Sequence, residues 1–344
     1  MSLKPLNHVH IIGTGLMGTS IALAAKKANI KVTLEDNSAS NLAIARALVG
    51  GDDRFKNELV DLVFVCVSPK ETANTVARAL QVFETATVTE ITSVKKPVFS
   101  ELAELDIDLT RFVSSHPMTG SEKSGPWGAD PNIFLGKPWL VINETDQSKN
   151  GELTSFINLI GAHVEYVPVE EHDSLMARVS HLPQLLATIL AQQVEETEQN
   201  LTGRGFREMT RLAGSDPKLW VEIIQNNQLG ILESLQNFQT DLAKVIKAIE
   251  SDSDELESIF VAGNNASIKA DGFSGALTKV RAEIIDDENF LAEFIISLKE
   301  SGVVIDLKMI EGLNSHLMAE IVLPEEEAIL LTQASNDARV RWLD

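Results

Sequence analysis

Short apolar runs alternate with longer amphipathic segments over the first half of the chain. The runs His8–Ile12, Ile30–Leu34 and Leu62–Val67 have the length and near-continuous hydrophobicity of strands buried on both faces. The segments between them, such as Thr19–Ala28, carry apolar residues at helical spacing. Alternating strands and helices predict an α/β fold with a Rossmann-like, doubly wound parallel sheet, which we expect over residues 1–168.

The pattern changes near Pro168. From Val169 to about Asn200 the spacing predicts one long helix with a kink at Pro183, because proline interrupts the helical hydrogen-bond ladder. More helical segments follow, so residues 169–270 are predicted to form an all-helical domain. Helices with this much apolar surface usually bury it against a second subunit, and we therefore expect a homodimer.

The last part of the chain alternates again. Four strands are predicted, at Leu277–Ile285, Val303–Ile310, His316–Leu323 and Val340–Leu343. With helices at Phe290–Gly302 and Pro324–Gln333, the overall order is βαββαβ. We therefore expect a small α+β domain over residues 275–344.

A glycine-rich turn joins the first strand to the first helix. The sequence Gly13-Thr-Gly-Leu-Met-Gly18 has the GxGxxG spacing of a dinucleotide-binding loop, in the strand–turn–helix context that this motif requires. The first glycine permits a tight turn, the second lets the backbone approach a diphosphate, and the third lets helix and strand pack closely. The free N–H groups at the helix start then face the diphosphate. The predicted cofactor-binding residues of this loop are Gly13, Gly15, Leu16, Met17 and Gly18.

Two acids, Glu35 and Asp36, end the second strand. A carboxylate at this position accepts hydrogen bonds from the adenosine ribose and repels a 2′-phosphate, which favours NAD over NADP. We prefer Asp36 for this role on spacing, and no Arg or Lys follows it directly. The next strand ends in Ser68 and Pro69, at the edge of the sheet where a cofactor lies, so both are predicted to contact it.

A histidine near the end of a later strand is the candidate general base. His116 opens the stretch His-Pro-Met-Thr-Gly-Ser-Glu, and a neutral imidazole accepts a proton near pH 7 as a hydride leaves an alcohol. Ser93 follows another strand, within Thr92-Ser-Val-Lys95, where its hydroxyl reaches both nicotinamide and substrate. Alternatively, Ser93 is the N-cap of a helix predicted at Lys95–Leu105.

An arginine in the helical region is the candidate for binding a substrate carboxylate. The planar guanidinium of Arg211 binds a carboxylate through two parallel hydrogen bonds, which fix orientation as well as charge. Arg204 and Arg207 lie close by in the sequence and supply positive potential. A nicotinamide site, a histidine and an arginine in this order indicate a dehydrogenase of an acidic, hydroxylated substrate.

Net charge limits the partners of the chain. The 344 residues carry a formal charge of −21, which argues against binding nucleic acid or anionic membrane surfaces and requires a locally positive pocket for an anionic substrate. Cys66 is the only cysteine and lies in an apolar run, so we expect a buried thiol, no disulfide and no CxxC metal site. No apolar run approaches the roughly 18 residues of a membrane span, and no signal peptide is recognisable, which predicts a cytoplasmic protein.

Together these motifs resemble the prephenate/arogenate dehydrogenase family of tyrosine biosynthesis. The resemblance rests on the glycine loop, Thr92–Lys95, the His116 stretch, Ser180-His-Leu-Pro183 and Gly205–Pro217 with the tryptophan that follows. It implies NAD-dependent oxidative decarboxylation of prephenate to 4-hydroxyphenylpyruvate. Loss of CO₂ makes the ring aromatic and drives the reaction, so no metal is needed.

The resemblance also implies roles for individual residues. His116 hydrogen-bonds the ring hydroxyl of prephenate and polarises it, with Ser93 beside it as the second catalytic residue. Gln184 stands where the family usually has a second histidine, and it cannot carry a positive charge, so prephenate and arogenate both stay open as substrates. The substrate-binding residues implied are Arg211, Ser180, Gln184, Glu122 and Trp220, of which Trp220 approaches the site of the partner subunit.

Three alternatives stay open at this point. An arogenate dehydrogenase would give tyrosine directly. A β-hydroxyacid dehydrogenase would need a lysine where this chain has His181 and Gln184. A non-catalytic NAD-binding regulator belongs to a different class of protein, although a regulator would not need Ser93, His116 and Arg211 together.

The C-terminal βαββαβ order resembles an ACT regulatory domain. That resemblance implies tyrosine as a possible effector of the protein. The segment Asp286–Asn289 stands where ACT domains usually have Pro-Gly after the first strand, which puts ligand binding by this domain in doubt.

Overall fold

The structure is a computed structural model that divides into two compact units, Met1–Gln239 and Thr240–Asp344. The residues that it describes are 6–50, 59–121, 123–142, 151–251, 255–270, 277–284, 293–296, 298, 306–311, 317–324 and 339–343.

A seven-stranded sheet with the order β2-β1-β3-β4-β5-β6-β7 organises the first unit. Its strands are β1 (His8–Ile12), β2 (Lys31–Glu35), β3 (Leu62–Val65), β4 (Thr87–Glu90), β5 (Phe112–Pro117), β6 (Pro138–Ile142) and β7 (His163–Val167). The helices between them are α1 (Leu16–Lys27), α2 (Ala39–Val49), α3 (Pro69–Val82), α4 (Lys96–Glu104) and α5 (Gly151–Leu159). This arrangement confirms the predicted Rossmann-like fold.

One pairing departs from the predicted all-parallel sheet. Strand β6 runs antiparallel to β5, with Ser115 opposite Val141 and Pro117 opposite Trp139. A parallel crossover needs a dozen or more residues, usually with a helix. The described part of the β5–β6 connection contains only a short 3-10 turn at Pro126–Gly128, so the chain returns in the opposite direction.

The core lies on both faces of the sheet because side chains alternate along each strand. Leu62 and Phe64 join one buried cluster, and Val63 and Val65 join the other. Cys66, predicted to be buried, is half-buried against the first cluster, and burial raises the pKa of its thiol well above the usual range.

The predicted single helix from Val169 to about Asn200 is wrong in extent. It is divided into α6 (Val169–Met176), a π-helical turn (Ala177–His181) and α7 (Leu182–Ala191). The wider turn comes directly before Pro183, which has no N–H to donate to the preceding turn. The remaining helical segments are a 3-10 turn (Glu196–Leu201), α8 (Arg204–Thr210), a 3-10 turn (Arg211–Gly214), α9 (Pro217–Asn226), α10 (Gln228–Glu250) and α11 (Glu255–Ala270). Among the described helices, none has the length and hydropathy to cross a membrane.

The second unit contains a four-stranded antiparallel sheet. Its strands are β8 (Leu277–Ile284), β9 (Asp306–Glu311), β10 (Leu317–Pro324) and β11 (Val340–Leu343). The order β11-β8-β10-β9 places the first and third strands side by side in the centre, as in split βαβ folds, and residues 293–296 and 298 are helical. Pro324 ends β10 instead of starting a helix. The rest of that predicted helix and the segment Asp286–Asn289 lie outside the described residues.

Candidate active site

The predicted site residues of the first unit gather at one edge of the sheet. Gly13 follows β1, Ser68 follows β3, Ser93 follows β4, and His116 lies near the end of β5. These four strands are mutually parallel neighbours, so their carboxyl ends meet at the same edge. Ligands of doubly wound sheets bind at this edge.

The glycine loop has the shape that a diphosphate requires. Gly13 has φ +96°, and a Cβ there would lie 2.4 Å from the carbonyl oxygen of Cys66. A Cβ on Gly18 would lie 1.9 Å from the carbonyl oxygen of Gly13, so helix and loop pack without space for a side chain. Gly15 precedes α1, and a Cβ there would meet nothing within 4 Å. The open space faces the start of α1, whose first residues are Leu16 and Met17.

A cleft of about 520 Å³ continues from this loop. Asp36 fixes the loop, because its carboxylate accepts hydrogen bonds from the backbone N–H of Thr14 at 2.5 Å and from the Thr14 hydroxyl at 2.8 Å. Pro69 is the first residue of α3, and the buried Ser68 hydroxyl before it has no hydrogen-bond partner among the described residues. The lining residues are Ile12, Gly13, Gly15, Glu35, Asp36, Asn37, Asn41, Cys66, Val67, Ser68, Lys70, Glu71, Asn74, Thr75 and Arg78.

His116 is the end of a buried hydrogen-bond chain. Its Nδ1 lies 3.0 Å from Nε2 of His172, and Nδ1 of His172 lies 2.8 Å from Oδ1 of Asp173. Asp173 is held in turn by the backbone N–H groups of Lys95 and Lys96, which donate to its two oxygens at 2.8 and 2.9 Å. The start of α4 and the helix α6 therefore meet behind the candidate base.

The hydrogen bonds from Asp173 through His172 to His116 determine which nitrogen of His116 carries the proton. Burial raises the pKa of Asp173, but the hydrogen bonds from His172 and the two backbone N–H groups outweigh it, so the pKa is lowered and the carboxylate is ionised. His172 therefore donates from Nδ1 and accepts at Nε2. His116 must donate from Nδ1, which leaves its Nε2 as a proton acceptor.

The environment also keeps His116 neutral. Burial lowers its pKa well below the usual range, and the electrostatic influence of His172, Lys95 and His181 lowers it further. Burial likewise lowers the pKa of His172 and brings that of His181 to about 4. A neutral imidazole with a bare Nε2 is the form that a general base needs.

A buried ion pair holds the strand that carries His116. Nζ of Lys95 lies 2.6 Å from Oε1 of Glu90 and donates to the carbonyl oxygen of Ser115 at 2.6 Å. The Ser114 hydroxyl and the Thr92 backbone N–H also donate to the Glu90 carboxylate. Both charged side chains are fully buried, so the pair joins β4, β5 and the start of α4 at one point.

Ser93 lies half-buried in the turn between β4 and α4. The alternative N-cap role is wrong, because Lys95 is the N-cap residue of α4 and no side chain caps that helix. Glu122, another predicted site residue, lies outside the described residues.

The helical site residues form a second group. Ser180 lies half-buried in the π-helical turn, and the amide of Gln184 donates to the carbonyl oxygen of Leu212 at 2.8 Å. That contact ties α7 to the turn that begins with Arg211, whose side chain is exposed. The half-buried ring of Trp220 on α9 packs edge-on against His181, with 6.0 Å between centroids.

His181 is buried and Asn227 lies beside it. The Asn227 amide donates to Nδ1 of His181 at 3.1 Å and to the Asp173 carbonyl oxygen at 2.6 Å. His181 therefore carries its proton on Nε2, which is buried and has no partner among the described residues. This nitrogen is a hydrogen-bond donor that a ligand can satisfy.

Four residues of the buried network could not be identified as site residues from sequence: His172, Asp173, Glu90 and Asn227. None belongs to a short motif, and they come from elements far apart in the chain. The sequence gives one indication of the role of Glu90: an acid at the end of an apolar strand needs a buried partner.

Two family models match most of the first 262 residues. The nucleotide-binding domain of prephenate dehydrogenase matches residues 21–166, and the dimerization domain of prephenate dehydrogenase matches residues 168–262. The prephenate dehydrogenase of Lactococcus lactis is 28% identical over 347 residues, covering 93% of this chain and 90% of the relative.

Solved structures agree with the family models. The prephenate dehydrogenase of A. aeolicus, solved with hydroxyphenyl propionate and NAD⁺, has a TM-score of 0.67 and 25% identity, and the match covers 78% of this chain and 100% of that one. Arogenate dehydrogenase from Synechocystis has a TM-score of 0.62 and 25% identity, with 76% and 99% covered. The chain belongs to the prephenate dehydrogenase family of oxidoreductases.

Proposed function

We propose that the protein catalyses NAD-dependent oxidative decarboxylation of prephenate to 4-hydroxyphenylpyruvate, with His116 as general base. The observation that carries this proposal is the chain Asp173–His172–His116, which leaves Nε2 of His116 as the proton acceptor at the carboxyl edge of the sheet. When bound, NAD supplies the hydride acceptor.

The residues that would hold NAD are those of the glycine loop and the cleft. A diphosphate would lie against the start of α1, because the space beside Gly15 is open. Asp36 braces the loop and adds negative charge beside the ribose position, which supports NAD over NADP. The buried Ser68 hydroxyl is a further polar group for the cofactor.

His116 takes the proton from the ring hydroxyl of prephenate at Nε2. Asp173 and His172 hold the reactive tautomer and stabilise the imidazolium that forms. Ser93 orients the same hydroxyl, and the buried Lys95–Glu90 pair fixes the strand under His116. The ring carboxylate would leave as CO₂, and its bonding electrons would make the ring a phenolate, whose oxygen takes the proton back from His116.

The helical segments supply the carboxylate-binding groups. The Arg211 guanidinium forms a bidentate pair with a substrate carboxylate. Ser180, Gln184, Glu122 and Trp220 complete the substrate side in this proposal. Gln184 also positions the turn that begins with Arg211, because its amide donates to the backbone carbonyl of Leu212 in that turn.

We also propose a homodimer. Helix α10 exposes large apolar side chains, including Leu229 at 86% and Ile249 at 62% of full exposure, which a second copy would cover. The domain limits proposed are 1–168, 169–270 and 275–344, the last as an ACT-like domain that lacks the usual Pro-Gly after its first strand, with tyrosine as a candidate effector. Light scattering of the full chain tests the dimer, and tyrosine inhibition with and without residues 275–344 tests the effector.

A four-way steady-state assay tests the function. Prephenate and arogenate are each supplied with NAD and with NADP, and 4-hydroxyphenylpyruvate or tyrosine is measured as product. Turnover of prephenate with NAD is expected to be the most efficient. A higher kcat/KM with arogenate would replace the substrate assignment. His163→Asn, on an exposed residue of β7, is the matched control for histidine replacement.

A further inference from the structure

The far end of the cofactor cleft contains an ion pair whose partners come from two different elements. Glu35 ends β2, and Arg78 lies in the third turn of α3; both line the cleft with Asp36. The residues of α3 that line the cleft recur at helical spacing and therefore share one face of the helix. They are Lys70, Glu71, Asn74, Thr75 and Arg78.

The two adjacent acids have different contacts. Asp36 is occupied by the loop, since Oδ2 accepts two hydrogen bonds from Thr14 and Oδ1 accepts the backbone N–H of Ser38 at 2.7 Å. Glu35 instead contacts side-chain nitrogens of Arg78 and His10. Its Oε1 lies 2.6 Å from Nη2 of Arg78, and its Oε2 lies 3.6 Å from Nε2 of His10.

The Glu35–Arg78 pair faces the cleft. The Glu35 side chain is 41% exposed and that of Arg78 is 48% exposed, so both reach solvent inside a cleft that a dinucleotide would fill. A guanidinium is the side chain best suited to a phosphate, because it offers parallel N–H donors and a permanent charge. In this chain Nη2 of that guanidinium donates to Glu35.

We propose that Arg78 is a latent binding group for a 2′-phosphate, and that Glu35 prevents this by pairing with it and by repelling the phosphate. Glu35 is then the residue that sets the choice between NAD and NADP, while Asp36 mainly shapes the glycine loop. This inference rests on the NAD preference proposed above.

Lys70 is a second cation in the same cleft and provides an internal comparison. It lies in the first turn of α3, two turns from Arg78, and its backbone N–H donates to Oε1 of Glu222 at 3.0 Å. If the cleft selected anions only through its overall charge, Lys70 and Arg78 would contribute alike. If the Glu35–Arg78 pair is the determinant, only Arg78 should contribute to binding of the 2′-phosphate once Glu35 is neutralised.

Calorimetric titration with adenosine 2′,5′-bisphosphate and with 5′-AMP tests the proposal without turnover. Glu35→Gln should strengthen binding of the bisphosphate relative to 5′-AMP by on the order of tenfold. Adding Arg78→Gln should remove that gain, and adding Lys70→Gln should keep it. Glu35→Ala repeats the test without an amide that could hold Arg78, and thermal melts establish that each variant is folded.

Two results would overturn the inference. One is no gain for the bisphosphate in either Glu35 variant, and the other is a gain that survives loss of Arg78. The wild-type preference is a separate readout, because stronger binding of the bisphosphate than of 5′-AMP by the unchanged protein would contradict the NAD assignment itself. The difference between the Glu35 single and Glu35–Arg78 double variants still reports on the pair in that case.

Discussion

The cofactor loop and the acid–base site meet at the same edge of the sheet, but they are built in different ways. The loop is made of backbone, and its key residues matter because they have no side chain: Gly13 and Gly18 leave no space for a Cβ. The candidate acid–base site is made of side chains from β4, β5, the residue before α4, α6 and the residue between α9 and α10. A local motif can encode the first kind of site, whereas only the folded chain assembles the second.

The largest expected effect is at the end of the side-chain network. His116→Asn removes the proton acceptor, so kcat should fall by about 10²–10⁴-fold while affinity for NAD changes little. The measurements are steady-state kinetics with prephenate and calorimetry with NAD. A loss of less than about fivefold would exclude His116 as the base.

Asp173→Asn tests whether the network acts as a unit. The neutral amide no longer requires His172 to donate from Nδ1, so His116 loses its fixed tautomer and kcat should fall by about 10²-fold or more. KM for NAD should stay within about twofold, because the glycine loop does not depend on this carboxylate. An unchanged kcat in a folded variant would show that His172 and Asp173 do not contribute to catalysis.

Two alanine substitutions test the backbone site. Gly15→Ala should leave the melting temperature unchanged, since its Cβ meets nothing, but should raise KM for NAD by about tenfold or more by occupying the diphosphate approach. Gly18→Ala should instead destabilise the fold by about 1–3 kcal/mol, because its Cβ overlaps the Gly13 carbonyl. Equal changes in melting temperature and in KM for NAD in the two variants would contradict the different roles given to Gly15 and Gly18.

The last expected effect is on stability alone: the pH dependence that the buried histidines cause. The folded chain lowers the pKa of His116, His172 and His181, the last to about 4, so the unfolded chain binds more protons below about pH 6.5. The free energy of unfolding should therefore fall with acidification, by at most about 1.4 kcal/mol per pH unit for each histidine. Denaturant titrations at pH 7 and 5 measure this, and His181→Gln should reduce the difference.

Prediction from sequence succeeded where a local pattern fixes the geometry. The strands around Gly13 and the general position of His116 followed from apolar runs and a loop motif. The direction of β6 did not, because the described part of the connection after β5 contains a 3-10 turn and no crossover helix. The π-helical turn before Pro183 could not be predicted from helical spacing either. The sequence shows where the proline is, but not how the turn before it adapts.

His172 and Asp173 escaped prediction for a different reason. A His-Asp pair at the start of a helix has no distinctive spacing, and its meaning arises only when α6 packs against the start of α4. Lys95 was noticed within a motif, but its buried partner Glu90 could be identified only once the strands were paired.

In the proposed site, the hydrogen bond from Gln184 to the Leu212 carbonyl would link the position of Arg211 to the length of the side chain at position 184. A residue at position 184 can alter how far the Arg211 turn stands from α7 without touching the substrate. A longer or shorter side chain there would move the guanidinium as a body, changing which spacing between two anionic groups the site accepts. If Arg211 binds the substrate as proposed, selectivity would change with the length of the residue at position 184 while the charged contact itself stayed the same.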